Sequence, residues 1–236
     1  MDQKAAAVTG ARVERAVVLA AGLGTRLKWL TSSRPKALMQ VAGEPVVAHV
    51  IRSLVAQGIH DIAVNAHHHA GLLRDYLGDG SRFGCRISIS YESSLLDSGG
   101  GVKQALGFLS GSGLVAVYNA DVLSNFELHR LSHLVPERGV AIGLVNNPAH
   151  HPVGDFALHG SEVTNQGESR FTFSGISLWD ETVFDHYALG SVFSLVKPMR
   201  ELVEQGRCRG AVHKGEWFDI GRPGDLMRAC RLMGRR

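Results

Sequence analysis

The sequence predicts an α/β fold with a mostly parallel twisted sheet and helices on both faces. First, apolar runs of strand length alternate with segments of helical periodicity from residue 16 to residue 145, which is typical of parallel sheets. Second, polar and glycine-rich segments follow the apolar runs, at the sheet edge where such folds bind ligands. Third, 236 residues with 44% apolar side chains suffice for one large domain.

The elements up to residue 145 are predicted from hydrophobic spacing and from glycine and proline. Residues 16–20 form an apolar run of strand length, and Pro45 is expected to be the first residue of a helix that Gly58 ends. Within that helix the apolar side chains recur at helical spacing, at Val47, Val50, Ile51, Leu54 and Val55. Further strands are expected at 61–65, 87–91, 114–119 and 140–145, and further helices at 70–77, 101–109 and 128–135.

From Asn146 onward the pattern changes to loops and short strands. A strand is expected at 170–177, helices at 180–184 and 195–205, a strand at 209–213, and a last helix that Pro223 opens. We expect residues 146–236 to form a substrate-facing part that continues the same sheet. Residues 1–15 are small and polar and are expected to be a flexible leader, which leaves 16–236 as a single domain.

Composition excludes several classes of protein. The net charge of +3 is small and spread along the chain, so nucleic acid is not an expected partner. No apolar run approaches the length of a membrane span, and no membrane association is expected. The three cysteines are scattered and odd in number, which favours a reduced, cytoplasmic compartment.

A glycine turn followed by two cations points to a nucleoside triphosphate. Gly22 and Gly24 directly follow the first strand, so the backbone N–H groups of this turn can bind an anion. Arg26 and Lys36 add positive charge to the same edge. The dinucleotide fingerprint is excluded because Leu27 stands where it requires a third glycine, and the segment also lacks the Gly-Lys-Ser/Thr ending of a P-loop.

Two aspartates are candidate ligands of Mg²⁺. Asp121 follows a strongly apolar strand, and Asp219 lies in a Trp-Phe-Asp-Ile-Gly-Arg-Pro segment. Carboxylate oxygens suit Mg²⁺, which binds one or two carboxylates together with substrate phosphates. For either aspartate alone, a turn or a helix cap is the favoured interpretation.

A second glycine-rich segment, from Leu96 to Gly101, precedes a predicted helix. Its three consecutive glycines would let the backbone approach a base or a ribose closely, and the amides at the helix start could bind an anion. A flexible turn is the alternative interpretation.

The stretch from Leu19 to Pro45 resembles the signature of sugar-1-phosphate nucleotidyltransferases. It reads Leu-Ala-Ala-Gly-Leu-Gly-Thr-Arg-Leu, then Pro-Lys, then Val-Ala-Gly-Glu-Pro. Trp29 and Gln40 depart from the family pattern, which commonly has proline at both positions. Residues 96–101, 147–156 and 171–176 are similar to the N-acetylmuramate-1-phosphate uridylyltransferase group of this family.

The resemblance implies a Rossmann-like nucleotidyltransferase fold of the glycosyltransferase-A type and assigns roles to residues. Residues 16–145 would bind the nucleotide and 146–236 the sugar phosphate. Catalytic roles fall on Arg26 and Lys36, and Mg²⁺ would lie at Asp121 and Asp219. Nucleotide contacts are expected from Ala20, Ala21, Gly22, Gly24, Thr25, Arg26, Glu92, Gly99 and Gly100, and sugar-phosphate contacts from Asp155, Ser174 and Gly175.

The implied reaction is transfer of UMP from UTP to a sugar 1-phosphate, with N-acetylmuramate 1-phosphate favoured and a role in peptidoglycan recycling. Alternatives within the class are guanylyl or cytidylyl transfer to mannose 1-phosphate, heptose 1-phosphate or phosphocholine. A different class is a non-catalytic regulatory subunit that binds a nucleotide-sugar; the presence of Arg26, Lys36, Asp121 and Asp219 disfavours it. The expected assembly is a monomer or a small homo-oligomer.

Overall fold

The computed structural model describes residues 12–24 and 33–234. Thr25, Arg26 and Trp29, which the sequence analysis singled out, lie outside the described residues, as do residues 1–11 of the predicted leader. The described strands are β1 Arg15–Leu19, β2 Gln40–Val41, β3 Glu44–Pro45, β4 Asp61–Ala66, β5 Arg86–Tyr91, β6 Leu114–Asn119, β7 Val122–Ser124, β8 Val140–Val145, β9 Phe156–His159, β10 Glu162–Thr164, β11 Arg170–Asp180, β12 Cys208–His213 and β13 Trp217–Asp219. The described α-helices are α1 Val46–Ala56, α2 Ala70–Leu77, α3 Asp97–Leu106, α4 His129–Ser132, α5 Val196–Glu204 and α6 Pro223–Met233.

The main sheet of the described residues has nine strands in the order β5-β4-β1-β6-β11-β8-β12-β10-β9. The predicted α/β fold is confirmed, and β1, β4, β5 and β6 pair in parallel. The parallel pairing does not continue into β11, which runs antiparallel to both β6 and β8. A parallel return usually uses a helical crossover, whereas the segment between β8 and β11 contains a loop at 146–155 and the short strands β9 and β10 and no helix.

Helices cover both faces of the sheet. Successive residues of a strand point to opposite sides, so each strand contributes side chains to both buried layers. On β1, Ala16 and Val18 belong to one buried cluster together with side chains of α1 and α2. Val17 belongs to the other cluster, which contains side chains of α3 and α5. The carboxyl ends of the parallel strands therefore remain at an uncovered edge between the two layers.

Several element boundaries differ from the predicted ones. Pro45 is not the first residue of α1 but the last of β3, where it is extended (φ −58°, ψ 144°) and pairs with Gln40. The helix predicted at 101–109 begins four residues earlier, at Asp97. The helix predicted at 128–135 is the single turn α4, and the one at 180–184 is a 3-10 helix at Glu181–Phe184.

A third, smaller core positions a two-stranded ribbon beside the main sheet. Strands β7 and β13 pair antiparallel, and their side chains pack with β2, α1 and α6 in a cluster of Met39, Val41, Val46, Leu123, Ile220 and Ala229. This packing holds the end of β13 next to the end of β6. None of the helices in the described part of the chain is both long enough and apolar enough to cross a membrane.

Candidate active site

A cavity of about 510 Å³ opens at the carboxyl ends of β1, β4 and β6. Several of the predicted residues lie on its wall, namely Ala21, Gly22, Gly24, Glu92 and Asp121. The remaining lining residues were not predicted: Leu19, Leu23, Asn65, Leu95, Asp97, Ser98, Asn119 and Val192. The cavity therefore joins the glycine turn after β1 with the segment before α3 and with the end of β6.

The glycine turn after β1 is held at its start by a side chain of the neighbouring strand. Asn65, near the end of β4, accepts hydrogen bonds through Oδ1 from the backbone N–H groups of Ala20 (2.6 Å) and Ala21 (3.3 Å). Gly22 is exposed at the cavity, and Gly24 adopts a positive φ of 63°, a conformation that glycine adopts without steric cost. Ala20 is buried and does not line the cavity; its N–H donates to Asn65, and its side chain belongs to the buried cluster that contains Ala16 and Val18.

Lys36 lies between the two predicted metal ligands. It opens a 3-10 helix at Lys36–Leu38, and its Nζ forms an ion pair with Asp121 Oδ2 and lies 4.0 Å from Asp219 Oδ1. The ribbon of β7 and β13 brings the two aspartates together, since the N–H of Ile220 donates to the carbonyl of Asp121 (2.8 Å). All three side chains are mostly buried, with exposures of 12%, 24% and 25% for Lys36, Asp121 and Asp219. Three segments distant in sequence thus meet as one charged cluster.

This cluster fits a bound Mg²⁺. Two carboxylates on adjacent strands supply hard oxygen ligands, and Mg²⁺ is usually bound by one or two carboxylates together with substrate phosphates rather than by a complete protein cage. The described residues contain no group of three or more histidine, cysteine or acidic side chains that could hold a metal ion alone. A site completed by the phosphates of a ligand agrees with both observations.

Glu92 is buried in a hydrogen-bond network in which each of its carboxylate oxygens already accepts a hydrogen bond. It is 1% exposed. Its Oε1 accepts from Asn65 Nδ2 (2.7 Å), and its Oε2 accepts from the N–H of Leu96 (3.0 Å). Sequence reasoning expected Glu92 to contact the nucleotide and missed Asn65, although an amide that directly follows the apolar run 62–64 was a usable signal.

The glycines at 99–101 lie inside α3, and the interpretation of this segment as an open or flexible turn is wrong. The N–H groups of Gly99 and Gly100 both donate to the carbonyl of Phe193 (2.9 and 3.1 Å). A Cβ at Gly99 would overlap the Phe193 ring, and one at Gly100 would overlap the carbonyl oxygen of Ser191. Glycine is therefore required here because the loop that precedes α5 packs directly on the helix. Neither residue lines the cavity, and their nucleotide contact stays a prediction.

The predicted sugar-phosphate residues lie beside the cavity and around an irregularity of β11. The register of β11 against β8 shifts between Phe173 and Ser177, and Gly175 there has a φ of +81°. A Cβ on Gly175 would lie 2.7 Å from Nδ2 of Asn119, which lines the cavity. Ser174 is buried, and its carbonyl accepts from Trp217 Nε1 (2.9 Å).

Asp155 has contacts of its own within the same region. Its Oδ1 pairs with His151 Nε2 (3.0 Å), and its Oδ2 accepts from the N–H of Phe173 (2.8 Å). The carboxylate thus stabilises the strand that leads to the irregularity. Asp155, Ser174 and Gly175 do not themselves line the cavity, and their contact with a sugar phosphate stays a prediction.

Three exposed apolar side chains lie on the cavity wall. Leu23, Leu95 and Val192 are 45%, 38% and 67% exposed, and Asp97 and Ser98 add polar atoms next to them. Ligand sites commonly combine apolar surface with a few polar groups that orient the ligand. The cavity wall thus combines apolar side chains and a few polar groups with the carboxylate of Asp121, a composition that suits a nucleotide.

Comparison with known proteins gives consistent matches over nearly the whole chain. A family model described as nucleotidyl transferase matches residues 15–235. The chain is 37% identical over 231 residues to an N-acetylmuramate alpha-1-phosphate uridylyltransferase of Neisseria meningitidis serogroup B, covering 93% of this chain and 98% of that protein. It is 34% identical over 224 residues to a protein of the same name in Caulobacter vibrioides, covering 88% and 92%.

Among solved structures, the chain resembles HddC from Yersinia pseudotuberculosis, solved in complex with GMP-PN. The TM-score is 0.78 at 22% identity, with 94% of this chain and 100% of that chain covered. This likeness supports the fold.

The close packing on α3 predicts opposite effects for two glycine-to-alanine substitutions. Gly100→Ala should destabilise the protein and weaken nucleotide binding, because the new Cβ displaces the Ser191–Phe193 loop and Val192 with it. Gly71→Ala in α2 is the matched control, since nothing lies within 4 Å of its Cβ; alanine there should stabilise by up to about 1 kcal/mol. Urea denaturation of both variants measures the change in stability, and nucleotide titration measures the change in binding. Equal stability of the two variants would contradict the packing argument.

Proposed function

Because the chain belongs to the nucleotidyl transferase family, we propose that it transfers UMP from UTP to a sugar 1-phosphate and releases pyrophosphate. The observation that carries the proposal is Lys36 Nζ held between the carboxylates of Asp121 and Asp219 at the edge of the cavity. The sugar favoured is N-acetylmuramate 1-phosphate, which is named in both relatives described above. The product would then be UDP-N-acetylmuramate, used in peptidoglycan recycling.

In the proposed reaction a phosphate oxygen of the sugar 1-phosphate attacks the α-phosphorus of UTP. A new phosphorus–oxygen bond forms, the bond from the α-phosphorus to the bridging oxygen of the β-phosphate breaks, and the electron pair leaves with pyrophosphate. The attacking oxygen is already anionic at neutral pH, so the site requires no general base. It must instead position two anions and neutralise their charge.

Lys36 is the described residue best placed for that neutralisation. Its ammonium group would exchange the carboxylate of Asp121 for the α-phosphate and the incoming sugar phosphate, which both carry negative charge. The N–H groups of Gly22 and Leu23 in the glycine turn would bind the phosphates that leave. Arg26 is proposed to bind the same β- and γ-phosphates, although it lies outside the described residues.

Asp121 and Asp219 are proposed to hold Mg²⁺. When bound, the ion would neutralise charge on the reacting phosphates. The two aspartates and Lys36 together leave one net negative charge in the described cluster, which favours binding of a cation. For this reason the same residues suit a metal-dependent enzyme better than a simple anion-binding protein.

We further propose that the base lies against Leu23, Leu95 and Val192, with Asp97 and Ser98 near its polar edge. The preference for uracil rests on the relatives named above. A cytoplasmic location is proposed because Cys85, Cys208 and Cys230 are unpaired thiols, as is typical of a reducing compartment. The proposed assembly is a monomer or a small homo-oligomer.

Removal of the Lys36 ammonium should reduce turnover far more than stability. Lys36→Ala is expected to lower kcat/KM by about 10²- to 10³-fold, because one preorganised electrostatic contact to a transition state typically contributes about 3–4 kcal/mol. Lys197→Ala, an exposed lysine on α5, is the control and should keep the wild-type rate. Steady-state kinetics at saturating UTP test this, and a rate of Lys36→Ala within about threefold of wild type would refute the role.

Neutral replacements of the aspartates should raise the Mg²⁺ requirement. Asp121→Asn and Asp219→Asn keep the side-chain shape and remove the charge that holds a hard cation. Activity titrated against Mg²⁺ should shift to higher concentration in both variants, and EDTA should abolish wild-type activity. Asp185→Asn, which removes a carboxylate near the end of the Glu181–Phe184 turn, is the control. Superimposable titration curves for all four proteins would show that the aspartates only stabilise turns.

The substrate pair is tested by competition. UTP and GTP are supplied at equal concentration with N-acetylmuramate, glucose and mannose 1-phosphates in turn, and the nucleotide-sugars are separated by chromatography. We expect UDP-N-acetylmuramate to predominate, because a site that hydrogen-bonds one base edge leaves polar groups unpaired with another. A GDP-sugar as main product would contradict the uridylyl assignment. Equal use of glucose 1-phosphate would keep the reaction and remove the recycling role.

A further inference from the structure

We propose that Asn65 and Glu92 are positioning residues which set the distance between the two walls of the nucleotide cavity. They contact neither reacting phosphate directly in this assignment; they act through the backbone segments that they hold. The inference rests on the proposed function for its kinetic readout, because it concerns how UTP is held across the cavity.

Asn65 contacts one wall. Its side chain is 3% exposed, and its Oδ1 accepts from the first two backbone N–H groups after β1, those of Ala20 and Ala21. These two residues begin the glycine turn. The position of Oδ1 therefore sets where the turn leaves the sheet.

Glu92 contacts the other wall. Its backbone N–H donates to the carbonyl of Ala66 (2.8 Å), which ties it to the end of β4. Its Oε2 accepts from the N–H of Leu96, directly before α3. In the segment around this bond, Leu95, Asp97 and Ser98 line the cavity. Glu92 thereby sets where α3 begins.

The two side chains contact each other in a space that only glycine leaves open. Asn65 Nδ2 donates to Glu92 Oε1 at 2.7 Å. A Cβ at Gly101 would lie 2.5 Å from Asn65 Nδ2 and 2.7 Å from Glu92 Oε1. The third glycine of α3 thus accommodates the pair, and this explains a residue to which the nucleotide contacts assign no role.

The hydrogen bonds that run from Ala20 through Asn65 and Glu92 to Leu96 allow only one arrangement of donors and acceptors. Backbone N–H groups are donors at both ends, so each end requires an acceptor oxygen. The carboxylate of Glu92 meets Leu96 with an oxygen and therefore needs a donor from Asn65, which the amide nitrogen supplies. The asparagine orientation follows from its partners. A base bound near α3 and phosphates bound at the glycine turn would be spaced by these hydrogen bonds.

Because of this arrangement, the amide of Asn65 and the carboxylate of Glu92 can be exchanged only together. In Asn65→Asp two carboxylates face each other in a buried site, so one of them must take up a proton to restore the bond. In Glu92→Gln the amide can satisfy Asn65 or Leu96, but not both. In the double variant Asn65→Asp, Glu92→Gln the introduced glutamine amide donates to the introduced carboxylate and accepts from Leu96, so every bond is restored with the same total charge.

The experiment measures KM for the nucleotide and for the sugar 1-phosphate in wild type, both single variants and the double variant. Each single variant should raise KM for the nucleotide by about ten- to a hundredfold, the loss expected for a hydrogen bond to a charged group, and change KM for the sugar phosphate less than about threefold. The double variant should return to within about threefold of wild type, because coupled residues are non-additive. The nucleotide used is the one identified by the substrate competition.

A pH profile provides an independent readout. In Asn65→Asp the introduced carboxyl and Glu92 share a proton at low pH and lose it as the pH rises through the apparent pKa of the pair, so the bond exists only below that pKa. KM of this variant for the nucleotide should therefore rise with pH across about pH 6 to 9. The ratio of the double variant's KM to the wild-type KM should stay constant over the same range. A purely structural loss would not produce this dependence.

The matched control is Gln57→Glu, an amide-to-acid change outside the cavity. Gln57 also accepts from a backbone N–H, that of Leu128 (2.7 Å), and donates to the carbonyl of Ser53. The Gln57→Glu substitution should lower thermal stability without changing either KM.

A wild-type protein that transfers no nucleotide would contradict the proposed function. A wild-type protein that transfers one while Asn65→Asp keeps its KM, or a double variant worse than both singles, would overturn the positioning role.

Discussion

The candidate active site depends on holding Asp121 and Asp219 side by side although they repel each other. Lys36 offsets this repulsion, since its ammonium group contacts one carboxylate and lies 4.0 Å from the other. The backbone supplies the remainder, because β13 pairs with β7 and the N–H of Ile220 donates to Asp121. The cluster of apolar side chains around Ile220 and Ala229 buries the back of this ribbon. The charged groups thus lie on a packed support, which is the condition for preorganised electrostatics.

The antiparallel strand β11 connects the two parts of the chain that the resemblance separates. It lies between β6 and β8, so the nucleotide-facing strands and the later strands share one sheet. The register shift near Gly175 places the backbone of β11 against Asn119 on the cavity wall and against Trp217 of β13. One irregularity therefore contacts both the cavity wall and the ribbon. The division at residue 145 stays a prediction, but the sheet itself is continuous across it.

Much of this architecture is encoded locally in the sequence. The strands predicted at 114–119 and 140–145 match β6 and β8 residue for residue, since buried apolar runs bounded by polar residues have few alternatives. Lys36, Asp121 and Asp219 were also singled out, from their charge and from the resemblance of their segments to the family signature. The direction of β11 was not predictable, as it depends on which strands it meets.

The errors at Asn65 and at the glycines share one physical cause. Hydrophobic periodicity describes what a segment buries, whereas Asn65, Glu92 and Gly100 are explained by what other segments place against them. Three adjacent glycines are typical of a turn in isolation, yet here the loop at Phe193 and the Asn65–Glu92 pair occupy the space that side chains would need. Such contacts join residues that are distant along the chain, and a single sequence does not show them.

The close packing on α3 also bears on how substrate preference in this scaffold can be altered. At positions 99–101 any side chain larger than hydrogen meets the neighbouring loop or the buried pair, so this stretch is closed to variation. Immediately before it, Leu95, Asp97 and Ser98 face the cavity and are at least partly solvent-accessible. Asp97 and Ser98 are constrained as well, because Asp97 has a φ of +59° and Ser98 Oγ accepts from the N–H of Leu195 (2.9 Å). Libraries aimed at a new base would therefore gain most from randomising Leu95 and Val192, with the glycines left untouched.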